Sequence, residues 1–331
     1  MNLQPLWIAE ADVVAMMTLP DAINALEKGL KLQAEGASKN MRKTHLSWGG
    51  GHTLHAIGAI FEQEGLLGTK TWAHTAGGAT PLFIMWDANS GALLAVIEAF
   101  ALGQMRTGAM SGVATRWMAR RDADSLALIG TGKQAMTQLA AVAAVRPLKT
   151  VRVFGPNSER RARFVENAKG QGFDFKIEEA DSAATAADGA AIITLVTRAR
   201  EPVLKSAMVA RGAHINAIGA ITTEREEFAQ DIMDRAELIA ADDPGTTRSL
   251  SKEFRTFFGD SDQAWKAVLP ISSLIAASAE RSADCDLSVF KAMGMGISDL
   301  ALGMQIYRSA QSAGRGRALE PPEKVKPRLR R

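Results

Sequence analysis

The segment SLALIGTGKQAMTQLAAV, residues 125–142, contains a glycine-rich turn of the kind that holds the phosphates of nucleotides. An ATPase phosphate loop requires a glycine, four further residues, and then glycine, lysine and a serine or threonine. Ala127 stands where the first glycine would be, and Gln134 stands where the magnesium-binding hydroxyl would be. The segment therefore lacks both the wide loop and the metal ligand of an ATPase.

The same turn has the spacing of a dinucleotide site. Gly130 follows an apolar strand, Gly132 lets a pyrophosphate approach the backbone, and the small Ala135 lets the next helix pack on the strand. The helix that begins here presents its N-terminus to an anion. Together with the strand–helix alternation that follows, the turn predicts a nucleotide-binding site. A tight turn that binds no ligand is the alternative.

The end of the next predicted strand, VRVFGPNSERR, indicates which dinucleotide is bound. NAD-binding folds usually place an acid there, about 20 residues after the turn, to bind the ribose hydroxyls. This chain instead has Asn157 and Ser158, followed by Arg160 and Arg161. Because neither Asn157 nor Ser158 is a carboxylate that would repel a 2′-phosphate, and because two guanidinium groups could pair with one, the segment favours NADP(H), while NAD(H) stays possible. The alternative is that both arginines begin a solvated helix.

Lys70 lies in the apolar segment GLLGTKTWAH, between Gly68 and Trp72. Most lysines are solvated, but a lysine on a strand beside tryptophan and leucine is expected to lose part of its solvation. Because burial lowers the pKa of lysine, Lys70 is a candidate for donating or accepting a proton.

Arg106 begins the segment RTGAMSGVATRWMAR, which predicts a helix with small residues in its first turns. Small residues allow close packing near a domain boundary, so we expect Arg106 to point into an interdomain cleft. There its guanidinium could bind a carboxylate in bidentate fashion, although a structural pair with an acid is the alternative. Arg42, in NMRKTHLSW, is a second candidate of the same type.

Other kinds of catalytic site find little support. His52 and His55 follow a WGGG turn with no third ligand nearby, so no metal site is predicted. Cys285 has no histidine close in sequence and is expected to be a small buried residue. As the single cysteine, it excludes an internal disulfide and fits a reducing, cytoplasmic compartment.

The alternation of apolar and amphipathic segments divides the chain into two units. Residues 121–295 predict a Rossmann-like, doubly wound parallel sheet, whose strands are SLALIG, TVRVFG, FKIEE, AAIITLV, AHINAIGA and AELIAAD and whose helices include SERRARFVENAKG and EREEFAQDIMDRA. Residues 1–120 predict an α+β unit with antiparallel strands and a DANSG hairpin turn. The helical segment ISDLALGMQIYRSAQSAG is expected to return to that first unit, completing it with residues 296–320.

The composition of the chain limits the classes of partner that it is expected to bind. Apolar residues make up 47% of the 331 and charged residues 23%, as in globular proteins with a sizeable core. No apolar run has the roughly 20 residues that span a membrane, and no secretory signal is expected from the N-terminal segment. The basic pI of about 9.0 comes from residues 315–331, predicted to be a flexible tail, without which the net charge is −2. The tail lacks interleaved aromatic residues, so no nucleic-acid partner is expected.

Several of these segments together resemble the ornithine cyclodeaminase/mu-crystallin family. The resemblance rests on GTK at Lys70, MRTGAMSGVATRWMAR, IGTGKQA, HINAIGA and VFKAMGMGISDLALG, and it extends from about residue 42 to residue 306. The family includes ornithine cyclodeaminases, alanine dehydrogenases, ketimine and pyrroline-2-carboxylate reductases, and NADPH-binding mu-crystallins. It implies a homodimer formed through the first unit and a small amino or imino acid as substrate.

The resemblance also assigns roles to individual residues. Lys70, Arg106 and Arg42 would hold the carboxylate of the substrate, with Lys70 also near the reacting nitrogen. The implied cofactor residues are Thr107 at the pyrophosphate, then Gly130, Thr131, Gly132, Gln134 and Ala135 in the phosphate turn, Asn157 and Ser158 at the adenosine ribose with Arg160 beside them, and Thr197, Ile218, Gly219 and Ala220 along the nicotinamide.

The chain departs from the family at one position. Cyclodeaminases and the related alanine dehydrogenases resemble Gly-x-Asp after INAxG, and that aspartate helps to activate the amine or water. Here Ile221 takes its place, and the nearest acid is Glu224. Reducing a preformed imine requires only a bound carboxylate, a hydride and one proton donor, so we predict an NAD(P)H-dependent reductase of α-imino acids. The alternatives are an ornithine cyclodeaminase and a mu-crystallin-like binding protein.

Overall fold

The computed structural model describes residues 4–279 and 281–330, so the first three residues and the last residue of the predicted tail lie outside it. The described chain forms an α/β fold with two sheets. One sheet has nine strands, nearly all antiparallel, and the other has eight parallel strands. The parallel sheet is built from residues 125–291, and the first sheet from residues 6–98 together with residues 317–318.

The first unit begins with a short strand and two helices and continues as a run of antiparallel strands. Its elements are β1 (Leu6–Ile8), α1 (Glu10–Met16), α2 (Leu19–Ala34), β2 (Ser38–Asn40), β3 (Thr44–Trp48), β4 (His52–Phe61), β5 (Leu66–Thr75), β6 (Gly78–Ala79), β7 (Leu82–Asp87), β8 (Leu93–Glu98) and α3 (Phe100–Met118). β4, β5, β7 and β8 are neighbours in the sheet, and the predicted DANSG turn joins the last two. This arrangement places β5 in the middle of the sheet.

The second unit alternates strands and helices. Its elements are β9 (Ser125–Ile129), α4 (Ala135–Ala143), β10 (Thr150–Phe154), α5 (Ser158–Lys169), β11 (Lys176–Glu179), α6 (Ala183–Ala187), β12 (Ile192–Leu195), β13 (Ala213–Ala217), β14 (Ala236–Ala241), α7 (Pro244–Leu250), α8 (Lys252–Phe258), α9 (Asp262–Trp265), β15 (Val268–Pro270), α10 (Ile271–Ala276) and β16 (Leu287–Lys291). The strand order is β11-β10-β9-β12-β13-β16-β14-β15. The order reverses at β9, which is where doubly wound sheets bind their ligands.

The last helix, α11 (Gly296–Ala313), returns to the first unit, as predicted, before β17 (Arg317–Ala318) ends the first sheet. It packs directly on the strands because two glycines allow close approach. A side chain at Gly296 would lie 2.0 Å from the carbonyl oxygen of Gly58 on β4, and one at Gly303 would lie 2.5 Å from the ring of Phe83 on β7. The face of α11 between these glycines carries Asp299 and is fully buried.

Four predictions about secondary structure need correction. The segment EREEFAQDIMDRA forms no α-helix; only Gln230–Arg235 is helical, as a 3₁₀ helix, because the backbone around Glu227 pairs with residues 203–204. Strands β15 and β16 were not predicted. Arg106 lies in the second turn of α3, which begins at Phe100. The predicted tail begins later than residue 315, because Arg317–Ala318 pairs with β1 and the Leu319 amide donates to Pro5.

Within the described ranges, no helix combines the length and apolar character needed to cross a membrane.

Candidate active site

Lys70 lies near the middle of β5 and its side chain is only 4% exposed. Its Nζ donates a short hydrogen bond to Oδ1 of Asp299 on α11, and it lies 5.3 Å from the centre of the Trp72 ring. Burial lowers the pKa of Lys70 to about 8; the Asp299 carboxylate opposes this shift, while the charges of Arg106 and Lys43 add to it. The predicted loss of solvation is confirmed.

Arg106 belongs to the same cluster. Its Nε lies 3.6 Å from Asp299 Oδ1, and its side chain is 20% exposed, so part of the guanidinium is accessible. Gly294, which follows β16, packs on it: the backbone there has a left-handed φ of +84°, and a Cβ would lie 2.9 Å from Nη1 of Arg106. The cluster therefore lies at the carboxyl end of β16, next to the end of β13.

Two polar atoms of this cluster are buried without a hydrogen-bond partner in the described part of the chain: Nε of Arg106 and Oδ2 of Asp299. Buried polar atoms in proteins are nearly always bonded, so open ones require an explanation. A polar ligand that both accepts and donates hydrogen bonds would suit these two atoms of the cluster.

A third cation, Lys43, faces this cluster. Burial lowers the pKa of Lys43 and the charge of Arg106 lowers it further, whereas Asp242 and Asp299 raise it. The neighbouring Arg42 is exposed, so its predicted contact with a substrate carboxylate remains a prediction. Residues 41–43 lie outside any strand, between β2 and β3.

Sequence reasoning did not select Asp299. It is separated from Lys70 by 229 residues, so no local spacing joins the two. The available signal was chemical: a fully buried aspartate in the apolar helix ISDLALG must pair with a cation or a donor.

The predicted phosphate turn joins β9 to α4. Gly130 has φ +119°, and a Cβ there would lie 2.5 Å from the carbonyl oxygen of Val196, so this backbone requires glycine. A Cβ at Gly132 would meet nothing within 4 Å, which leaves open space over the turn. Gln134, at the N-cap of α4, makes no capping bond through its side chain. The Ala135 amide donates to the Gly132 carbonyl at 3.0 Å, and no side chain caps the rest of the first turn, which suits an anion there.

Two other predicted cofactor residues flank this turn. Ala135 is the first residue of α4 and is fully buried. Thr107, on α3, donates its hydroxyl to the carbonyl of Gly103 at 2.9 Å. A Cβ at Gly108 would lie 2.7 Å from the Thr137 carbonyl oxygen, so α3 packs closely on the first turn of α4 and brings Thr107 near the turn.

The predicted ribose segment begins α5. Asn157 caps that helix by accepting from the Arg160 amide at 2.8 Å, and Ser158 is its first residue. Arg161 is a structural arginine: its Nε donates to Glu179 at 2.9 Å and its Nη1 to the Gly155 carbonyl at 3.0 Å. Of Arg160 and Arg161, therefore, only the exposed Arg160 keeps a guanidinium group that is accessible to a ligand.

Glu227, a residue not selected from the sequence, connects the loops that are predicted to line the nicotinamide. Its fully buried carboxylate accepts bonds from the Thr197 amide (2.6 Å) and hydroxyl (2.8 Å) and from the amides of Gly219 (2.7 Å) and Ala220 (3.0 Å). Burial raises the pKa of Glu227, while Lys291 and these bonds lower it. The carboxylate thus joins the loops that follow β12 and β13. Ile218, the first residue after β13, is buried, and Ile221 is half-buried.

Fold and site together define a two-domain α/β protein with a dinucleotide-type turn and a buried lysine–arginine–aspartate cluster facing the carboxyl ends of its parallel strands. A family model, "Ornithine cyclodeaminase/mu-crystallin family", matches residues 5–314. The chain belongs to this family.

Three similar proteins illustrate the activities after which relatives of this chain are named. The chain is 26% identical over 331 residues to an alanine dehydrogenase of Archaeoglobus fulgidus, covering 95% of this chain and 98% of that protein. It is 29% identical over 246 residues to a delta(1)-pyrroline-2-carboxylate reductase of Bacillus cereus, covering 72% and 74%. Its fold matches an archaeal alanine dehydrogenase dimer with bound NAD at a TM-score of 0.87 and 25% identity, over 96% of this chain and 99% of the other.

Proposed function

We propose that the protein is an NAD(P)H-dependent reductase of α-imino acids, of the ketimine or pyrroline-2-carboxylate type, or a related amino-acid dehydrogenase. One observation carries the proposal: a buried lysine with a lowered pKa shares Asp299 with an accessible arginine where β16 ends beside β13. The names of the Bacillus cereus and Archaeoglobus fulgidus relatives support the same class of chemistry.

The chain's own residues fit a nicotinamide dinucleotide. Open space over Gly132 and the uncapped N-terminus of α4 suit a pyrophosphate, and Glu227 holds the loops that would line the nicotinamide. When bound, this cofactor supplies the hydride for the α-carbon of the substrate. The protein's part is to orient the substrate, exclude water and deliver the proton.

Each charge in the cluster has a role in that chemistry. The accessible guanidinium of Arg106 would bind the substrate carboxylate, and Lys43 would add positive charge nearby. The ammonium group of Lys70 would donate its proton to the imine nitrogen. A pKa of about 8 keeps Lys70 mostly protonated at neutral pH and still makes it a ready donor. Asp299 would hold the ammonium in position and stabilise its charge.

The half-buried Ile221 favours the reductase over the main alternative, a cyclodeaminase. A cyclodeaminase must oxidise the amine, expel nitrogen and return the hydride, and isoleucine can move no proton for these steps. Glu224 is exposed, and it bonds with the Thr223 hydroxyl at 3.3 Å. A mu-crystallin-like protein that holds NADPH and a small acid without turnover is the alternative from another class.

One assay distinguishes the three candidates. Purified protein is incubated with NADPH and pyrroline-2-carboxylate, and separately with ornithine and NAD. Consumption of NADPH with the imine is expected. Formation of proline and ammonia from ornithine without net NADH would contradict the proposal, and tight NADPH binding without turnover of either substrate would identify a binding protein.

We propose NADP(H) as the preferred cofactor, with NAD(H) as the alternative. The support is the exposed Arg160 and the absence of an acid at Asn157–Ser158, although the matched archaeal structure holds NAD. Arg160→Gln is expected to weaken NADPH binding about tenfold and leave NADH binding unchanged, since a charge-assisted bond to the 2′-phosphate would be lost. Equal affinities of the wild-type protein for both cofactors, measured by fluorescence titration, would contradict this preference.

We also propose a cytoplasmic homodimer. Strands β3 and β4 of the first sheet expose large apolar side chains, with Leu46 64%, Trp48 45% and Leu54 45% exposed, and a surface of this kind favours burial against a second copy. The dimeric state of the archaeal alanine dehydrogenase supports the proposal. Sedimentation at micromolar concentration is expected to show twice the chain mass; a monomer would refute it.

A further inference from the structure

A cavity of about 500 Å³ lies away from the Lys70 cluster and is lined mainly by arginines. We call it the arginine cavity; its lining residues are Arg116, Trp117, Ala119, Arg120, Arg121, Val145, Arg146 and Arg281. Five of these eight residues carry a guanidinium group. Such a concentration of one charge in a concave site is unfavourable unless carboxylates of the chain or a bound anion compensate it.

The arginine cavity lies at the opposite edge of the parallel sheet from the phosphate turn. Arg120 and Arg121 precede β9, whereas Gly130 follows it, and the five residues of β9 span about 16 Å. On the same edge, Nη2 of Arg281 donates to the carbonyl of Ala213, the first residue of β13. A dinucleotide bound at the phosphate turn therefore does not explain the cavity.

Some of the arginines have structural partners. Arg146 is 8% exposed and closes the C-terminus of α3 by donating to the carbonyls of Thr115, Arg116 and Ala119, with further bonds to those of Arg120 and Val145. Arg116 pairs with Glu27 and Asn24 on α2, and Arg120 lies 3.6 Å from Asp122. These contacts preform the wall of the cavity.

Other hydrogen-bond donors on the wall of the cavity have no partner among the described residues. Nε and Nη1 of Arg281 and Nε1 of Trp117 are buried and have no hydrogen-bond partner within the described residues. Three buried N–H groups in one basic cavity need an acceptor that the described chain does not provide. The pKa of Arg146 is lowered to about 10, mainly by burial and in addition by the charges of Arg116 and Arg121.

We propose that the arginine cavity is a second ligand site, which binds a small, multiply charged oxyanion of the phosphate-ester or polycarboxylate kind. Guanidinium groups match such anions because their donors form a planar fork. The open donors of Arg281 and Trp117 and the partly exposed guanidinium of Arg120 would bind the anion, while Arg146 and Arg116 support the wall. This inference does not depend on the proposed reductase activity.

The test is calorimetric titration of the full chain with two probes, inorganic pyrophosphate and citrate. Saturable binding of one anion per chain by either probe is expected; binding of pyrophosphate alone would identify phosphate compounds as the class, and binding of citrate alone would identify polycarboxylates. No saturable binding of either probe would overturn the proposal.

Substitutions in the arginine cavity test whether the anion binds there. Arg281→Gln and Arg120→Gln are each expected to weaken it about tenfold, since each removes charge-assisted bonds. Arg120 is half exposed, so its variant keeps the test valid if Arg281→Gln does not fold. Arg255→Gln, an exposed arginine on α8, is the matched control and should bind as the wild type does.

A second control excludes the phosphate turn. Gly132→Asp places a carboxylate in the open space over that turn and should leave pyrophosphate binding unchanged. Loss of binding in this variant, or normal binding in both cavity variants, would show that the arginine cavity is not the site.

Discussion

The molecule contains two buried lysine–carboxylate pairs that differ in how completely their atoms are bonded. On β16, Lys291 lies 3.4 Å from Glu253, and both are fully buried. The two oxygens of Glu253 also accept from the Glu227 amide (3.0 Å) and the Ser251 hydroxyl (2.8 Å), so each has a protein partner. On β5, Lys70 pairs with Asp299 beside Arg106, and there Oδ2 of Asp299 and Nε of Arg106 have no hydrogen-bond partner among the described residues.

The difference distinguishes a structural charge cluster from the proposed catalytic one. Burying charges is costly unless geometry and hydrogen bonds compensate. The Lys291 cluster is compensated from within the chain and, through Glu227, holds the loops that follow β12 and β13. The buried charges of the Lys70 cluster are compensated only in part by the described residues. Unpartnered polar atoms and a lysine with a lowered pKa are therefore available to interact with a substrate. The same lysine-to-methionine change should therefore have different consequences at the two sites.

The largest effect is expected for Lys70→Met. Methionine keeps an unbranched side chain of nearly the same length but removes the proton donor, and a general acid typically contributes a factor of about 10² to 10⁴ to the rate. The turnover number for imine reduction should fall by that factor while cofactor affinity, followed by fluorescence, stays unchanged. A variant that retains full activity would exclude Lys70 as the proton donor.

Lys291→Met should act on stability instead. It leaves the buried carboxylates of Glu253 and Glu227 without their cation, and breaking a buried pair costs about 3 to 5 kcal/mol. The free energy of unfolding, from denaturant titration, should fall by about that amount. A loss of activity at unchanged stability would contradict the structural role assigned to this cluster.

Asp299→Asn should move the pH dependence of the reaction. The Asp299 carboxylate raises the pKa of Lys70, so its removal lowers that pKa. Activity that needs protonated Lys70 is present below this pKa and lost as the pH rises through it, near 8 in the wild type. The descending limb of kcat/KM against pH should shift downward by about one pH unit.

The matched control for this shift is Asp181→Asn, since Asp181 is fully exposed and lies on the second unit. Its pH profile should coincide with that of the wild type. If Asp299→Asn also coincides with the wild type, Asp299 does not set the pKa of the proton donor.

The smallest effect is expected for Lys39→Met. Lys39 pairs with Glu62 on the surface, where the two side chains are 71% and 47% exposed. Exposed pairs contribute less than about 1 kcal/mol, so both stability and activity should stay within that margin. A larger loss of stability, measured as for Lys291→Met, would show that burial is not what separates the three pairs.

The sequence was most informative where the signal is local. Strand–helix alternation predicted the parallel sheet, and the spacing of Gly130 and Gly132 predicted the turn, because these patterns follow from backbone geometry within a few residues. Lys70 was recognised because an apolar strand around a lysine predicts its burial. The helix predicted around Glu227 was wrong because the burial of that carboxylate is decided by the amides of residues 197, 219 and 220.

Long-range partners could not be found in this way. Asp299 meets Lys70 only because glycines on α11 and β4 let that helix lie against the sheet. Lys43, rather than Arg42, faces the cluster because of the path of an irregular segment, which no periodicity describes. The arginine cavity likewise combines segments around residues 120, 146 and 281, none of which is distinctive alone.

The return of α11 has a consequence for the order in which the protein can mature. During synthesis Lys70 leaves the ribosome long before Asp299, with the whole parallel sheet made between them. Until residues 296–313 follow, the first sheet lacks the helix that covers its glycine-lined face and Lys70 lacks its counter-ion. The reactive cluster is therefore assembled last, after the unit proposed to hold the cofactor has been translated, and no shorter nascent chain contains it.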